Sequence, residues 1–127
     1  RDVERSRGLG DVYKRQLQDY VRLSFTTEHP MMYVAMKDGR ISNPVILRID
    51  PSVVYLQHTM YADMNATTTK RTPNIGKSLE DFKKIHFSTV KAHKHFDLDE
   101  NERPYFQAEV MVMTFIPKKY IINLDTF

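Results

Sequence analysis

One stretch limits what this chain can fold into more than any other: Tyr105-Phe106-Gln107-Ala108-Glu109-Val110-Met111-Val112-Met113-Thr114-Phe115. Its alternation predicts a β-strand with Gln107, Glu109, Met111 and Met113 on one face and Ala108, Val110, Val112 and Thr114 on the other. Neither face has the polar make-up of a surface open to solvent. Glu109 is therefore set among thioethers and β-branched side chains, where an ionised carboxylate needs a partner or a purpose. The plainer reading of the same pattern is a glutamate facing water on an edge strand.

The rest of the chain is read in the same way. Residues 19–25, Asp-Tyr-Val-Arg-Leu-Ser-Phe, alternate as a strand. Glu28-His29-Pro30 interrupts it as a turn, and residues 31–36 resume it. Lys37-Asp38-Gly39-Arg40 has the composition of a hairpin turn. Residues 44–50 read as a buried strand stopped by Asp50-Pro51, with a further short strand at 53–56. Residues 57–76 form a long polar loop, flexible or a binding lid, in which Lys70 and Arg71 are a basic pair. Residues 78–91 give the clearest helix, with Ser78 as its cap and Leu79, Phe82, Ile85 and Val90 as its apolar face. Residues 97–103 are acidic and turn-like.

Composition narrows the functional classes. A chain of 127 residues, 41% hydrophobic and 28% charged, suits a single folded domain. The absence of cysteine rules out disulfides, cysteine zinc sites and thiol nucleophiles, and agrees with a reducing cytoplasm. No apolar run approaches the ~20 residues of a membrane-spanning helix, so no membrane partner is expected. A net charge of +3 and a pI of about 9.1 tolerate nucleic acid without requiring it. The four glycines are scattered and form no dinucleotide fingerprint. No Gly-x-Ser-x-Gly elbow is present. His86, His93, His95 and Asp97 lack the spacing of a metal site, and no metal is expected. The chain opens on Arg1 rather than Met, which is expected of a fragment.

Gln107-Ala108-Glu109 with its apolar strand, Ile116-Pro117 and Tyr120-Ile121 resembles the catalytic strand of the DarT family. The string from Asp19 through Phe25 followed by His29-Pro30-Met31-Met32-Tyr33 is similar to that family's aromatic strand and Pro-Met turn. Residues 45–54 and the pair Asp63 and Asn65 also resemble family segments, the latter a "DxNA" turn. The resemblance covers most of residues 19–123. It implies an α+β, ADP-ribosyltransferase-like fold, a twisted and mainly antiparallel sheet with few helices. It further implies an NAD-dependent mono-ADP-ribosyltransferase that modifies bases of single-stranded DNA. Such proteins are toxins opposed by a macrodomain antitoxin.

Carried over residue by residue, Glu109 is the catalytic glutamate. Arg7, with Arg5 as the alternative, matches an essential arginine; Tyr20, Phe25, Met31 and Met32 line the nicotinamide pocket. Gln107 orients the target base, and Tyr105 belongs to the segment that presents the substrate. The chemistry is consistent with these types. Cleavage at the nicotinamide ribose passes through an oxocarbenium-like state, which one well-placed anion stabilises. An arginine fork clamps the pyrophosphate and an aromatic face receives the nicotinamide.

The start of the chain departs from the family. Members carry an upstream histidine-bearing strand that binds the NAD nucleoside, and this chain has no counterpart. Residues 11–16, Asp-Val-Tyr-Lys-Arg-Gln, resemble the translated read-through of a sequencing adapter, so their charges are left out of the functional account. The expected organisation is an irregular arm at 1–18 followed by an incomplete ADP-ribosyltransferase-like domain at 19–127. Two other readings stand beside the enzyme: a non-catalytic nucleic-acid-binding domain and an inactive truncated pseudoenzyme.

Overall fold

The alternation around Glu109 does form a strand, and the sheet is assembled on it. A computed structural model describes residues 17–91 and 98–126. Four strands, β1 (Tyr20–Ser24), β2 (Met60–Ala62), β3 (Ile75–Gly76) and β4 (Glu109–Met113), make one antiparallel sheet in the order β1-β4-β2-β3. β4 has a neighbour on each side, and its first four residues are buried. The edge-strand reading of Glu109 is therefore corrected: the residue is only 6% exposed.

Register decides which side chains meet. Tyr20 pairs with Met113, Arg22 with Met111 and Ser24 with Glu109, while Met60 pairs with Met111 and Ala62 with Glu109. Directly paired residues share a face. One face thus carries Tyr20, Arg22, Ser24, Glu109, Met111, Met60 and Ala62. Its apolar part packs with Leu17, Ala66 and Ile75. The other face carries Val21, Leu23, Val110, Val112 and Tyr61. Val110 and Val112 pack there with Val53, Ile49, Leu56 and Tyr120. Beside them Ile85, Val90 and Ala108 gather four aromatic rings. Tyr61 meets Phe82 at 5.0 Å, Phe82 meets Phe87 at 5.2 Å and Phe25 meets Phe87 edge-on at 5.8 Å.

The strand is shorter than the alternation predicts. Arg103–Gln107 forms a 3-10 helix with Pro104 in its first turn, which removes Tyr105 and Gln107 from the sheet. Proline fixes φ and offers no ladder donor, so pairing begins only beyond it. At the far end Thr114 turns left-handed, with φ 70°, and closes the strand.

Residues 31–36 do not resume a strand. Pro30–Lys37 is a helix, α1, because the His29 ring accepts the Met31 N–H at 3.0 Å and Pro30 opens the first turn. The expected hairpin turn at 37–40 is instead the end of this helix. Gly39 adopts φ 77°, its N–H reaching the Met36 carbonyl and that of Arg40 reaching Ala35. Residues 44–50 are not a buried strand either: Val45 is 61% exposed. This segment is tied to the C-terminal residues by the Ile49–Ile121 bridge and the Ile122 to Arg48 bond. Pro51–Tyr55 is a 3-10 helix capped by Asp50, not a strand.

The long loop at 57–76 contains β2 and β3. The single helix expected at 78–91 is two, α2 (Leu79–Lys83) and α3 (Phe87–Val90). Ser78 does cap α2, in a two-way box with Asp81, but Leu79 faces outward. Residues 1–16, with Arg5 and Arg7, lie outside the described residues, as do His93, His95 and Asp97.

Candidate active site

Glu109 is the first residue of β4, where the 3-10 helix hands over to the sheet. Its diagonal neighbour on the same face is Arg22 of β1. Arg22 Nε donates to Oε1 at 2.8 Å and Nη2 donates to Oε2 at 2.9 Å, a two-point fork. The Ala66 amide donates to Oε2 at 2.8 Å. The partner that a buried carboxylate demands is thus present twice over, as a cation and as a backbone dipole.

The loop following β2 completes the group. Asn65 Oδ1 accepts from Arg22 Nη2 at 2.8 Å, and from the Thr67 amide and hydroxyl at 2.9 Å each. Asp63 fixes the base of this loop by accepting the Asn74 amide at 2.9 Å. The Asp63–Asn65 pair noted in the sequence therefore shapes a turn that presents an amide and a side-chain oxygen to the Arg22–Glu109 pair.

Two cavities open on this part of the fold, the first bordering the group through Asn65 and the second apart from it. One of about 390 Å³ is lined by Asn65, Lys70, Arg71, Glu100, Arg103 and Gln107, among others. The second, of about 560 Å³, lies toward the other end of β4, with Tyr20, His58, Met60 and Met113 in its wall. Arg103 also donates to the Leu98 carbonyl at 3.1 Å, which steadies the entry to the 3-10 helix.

Of the residues singled out from sequence, Glu109 and Tyr20 share this face at opposite ends of β4, and Gln107 lies just before the strand. Tyr20 stands on Glu109's side of the sheet, and Gln107 lines the cation-bearing cavity. Phe25 packs on Phe87 behind the sheet and borders a groove of about 580 Å³ that Arg22 and Ser24 also line. Met31 and Met32 stand on α1, Met31 exposed and Met32 half-buried. Tyr105 stacks on the His86 ring at 3.7 Å with 4° between planes. Next to that stack Glu102 receives the Thr89 hydroxyl at 2.8 Å and has His86 Nδ1 at 3.0 Å. Those bonds, His86 first, hold the Glu102 carboxyl below its ordinary range. Among the described residues no three His, Asp or Glu side chains are grouped to hold a metal.

Arg22 is the residue that sequence reasoning missed. The signal was present, since alternation over residues 19–25 places Arg22 on the face of Tyr20. A charged residue on the buried face of a strand asks for an opposite charge across the sheet.

A family model described as "ssDNA thymidine ADP-ribosyltransferase, DarT" matches residues 4–126. Among solved structures the chain is similar to Thermus sp. 2.9 DarT in complex with carba-NAD+, with a TM-score of 0.61 and 18% sequence identity. The match covers 83% of this chain and 56% of that one, so the chain spans little more than half of that neighbour. At this identity the likeness speaks for the fold, which is the α+β ADP-ribosyltransferase-like sheet expected from the sequence. No curated protein sequence matches the chain.

Proposed function

The chain belongs to the DarT family, and from that premise we propose that it transfers ADP-ribose from NAD to bases of single-stranded DNA. The family's description names thymidine, which is the base to test first. The observation that carries this reading is the buried Glu109 carboxylate, held by the Arg22 fork and the Ala66 amide in a group that reaches the cation-bearing cavity through Asn65.

A carboxylate presents about four lone-pair sites. Three are taken by Arg22 and Ala66, which leaves one acceptor direction for a ribose hydroxyl. From there Glu109 stabilises the positive charge that develops on the ribose as nicotinamide departs. Tyr20 offers an aromatic face two residues along β1 from Arg22, suited to the planar nicotinamide, with Met31 and Met32 assigned to that pocket by resemblance. Gln107 orients the acceptor base at the cation-bearing cavity, and Lys70, Arg71 and Arg103 favour the phosphates of the strand. Tyr105, stacked on His86, steadies the segment before the strand. Arg7, or Arg5, is assigned to the pyrophosphate by resemblance.

A macrodomain protein that reverses the modification is the proposed partner, and the cytoplasm the proposed location. Among the described residues no helix is long and apolar enough to cross a membrane. Homopolymer and mixed single-stranded oligonucleotides incubated with NAD test the assignment by mass. A gain of one ADP-ribose on thymidine-containing strands supports it. Unmodified strands with intact NAD would leave a nucleic-acid-binding module, whose affinity would survive Glu109→Gln, or an inactive truncated pseudoenzyme.

A further inference from the structure

The resemblance places its arginine upstream, at Arg5 or Arg7, outside the described residues; among the described residues the guanidinium that touches the Glu109 carboxylate is that of Arg22. The contact is a demanding one. Two parallel bonds fix the plane of the carboxylate as well as its position, which one cation at the same distance would not do. The same Nη2 that meets Oε2 at 2.9 Å also meets Asn65 Oδ1 at 2.8 Å. Arg22 Nη1 reaches the Thr67 hydroxyl at 3.4 Å. Between those two loop residues, Ala66 sends its amide to the carboxylate. One side chain thus sets the orientation of the carboxylate and the place of the loop that gives it a third bond.

A neighbouring positive charge by itself works against a carboxylate meant to stabilise another positive charge. Its benefit to such a site is geometric: a buried carboxylate free to turn would lose alignment with the ribose. We propose that Arg22 is the positioning residue for Glu109, holding the carboxylate plane so that its remaining acceptor direction faces the NAD ribose. This rests on the assignment of Glu109 to catalysis, and it adds a role that resides in β1 and the loop after β2.

The test compares Arg22→Gln, Arg22→Lys and Arg22→Ala with the unaltered chain, each checked for fold by circular dichroism. Transfer to single-stranded DNA is measured against NAD concentration. Positioning predicts that kcat falls by roughly 100-fold in Arg22→Gln while KM for NAD stays within about threefold. Arg22→Lys recovers little, since an ammonium cannot make the fork. Added methylguanidinium restores turnover to folded Arg22→Ala. Unchanged or raised kcat in Arg22→Gln, or a loss confined to KM, would overturn the proposal; raised kcat would mark Arg22 as an inhibitory lock.

A second readout needs no turnover. Amide hydrogen exchange across residues 65–67 rises in Arg22→Gln as much as in Glu109→Gln if Arg22 couples the carboxylate to the loop. Unchanged exchange there would refute the coupling. Absence of transfer in the unaltered chain would instead overturn the functional assignment, with the exchange result still deciding whether Arg22 positions the carboxylate.

Discussion

Arg22 and Asn65 meet at 2.8 Å, so the guanidinium that grips Glu109 is itself gripped by the loop after β2. Asn65 in turn accepts two bonds from Thr67, which keeps its oxygen turned toward β1. The carboxylate is therefore anchored to two strands and a loop at once.

Arg22→Leu leaves a carboxylate buried without its counter-charge. Breaking a fully buried pair costs about 3–5 kcal/mol. The Arg22 side chain is 31% exposed, so solvent screening lowers the expected loss to about 1–3 kcal/mol. Pairing the change with Glu109→Met removes the stranded charge and recovers most of the loss. Urea denaturation of both single variants and the double variant measures this coupling.

Much of this arrangement was legible in the sequence, and the gaps have physical causes. The alternation of Val110, Met111, Val112 and Met113 gave β4 because period-two patterning survives in a strand buried on both sides. It overran into Tyr105 and Gln107 because the pattern carries no information about the 3-10 helix that Pro104 opens. Met31 through Met36 looked like strand by composition, yet His29, Pro30 and Gly39 are helix punctuation and prevailed. The aliphatic run at Val45-Ile46-Leu47 suggested burial that the structure does not provide. Glu109's need for a partner was readable; that Arg22 supplies it depended on register, which no local pattern specifies.

Gly76 of β3 has no room for a side chain. A methyl group built there overlaps the Asp81 carboxylate, the same group that closes the capping box with Ser78. Gly76→Ala therefore displaces Asp81 and weakens the start of α2, at an expected cost of about 1–3 kcal/mol. A lowered thermal midpoint with secondary structure retained checks this.

Acid weakens two contacts of the fold. Glu102 titrates below its ordinary 4.5 because of His86 and then Thr89, and Asp81 below its ordinary 3.8 because of Ser78 and then Asn74. Carboxylates with lowered folded-state values bind protons more readily in the unfolded chain. Their stabilisation is complete above those ordinary values and is lost as pH falls through them toward the folded-state values. Denaturation midpoints hold steady from neutral pH to about pH 5 and then decline. Glu102→Gln and Asp81→Asn together flatten that decline.

Lys70 and Arg71 line the cavity that also holds Gln107. If each meets one phosphate, replacing both with alanine makes the dependence of log affinity on log salt shallower by about 1.4 for single-stranded DNA. An oligonucleotide titration at several salt concentrations reads this slope. The loss of affinity is similar for strands of different sequence, since phosphate contacts carry no base information.

The most direct test of the account is transfer by Glu109→Gln. This variant keeps the length of the side chain while removing its charge. Mass spectrometry of a thymidine-containing single strand, incubated with NAD and either protein, follows the product. The account predicts ADP-ribosylated DNA with the unaltered chain and at least a 100-fold slower reaction with Glu109→Gln, roughly the loss of one preorganised electrostatic contact, while oligonucleotide affinity is retained. Equal transfer by the two proteins would contradict the assignment of catalysis to Glu109.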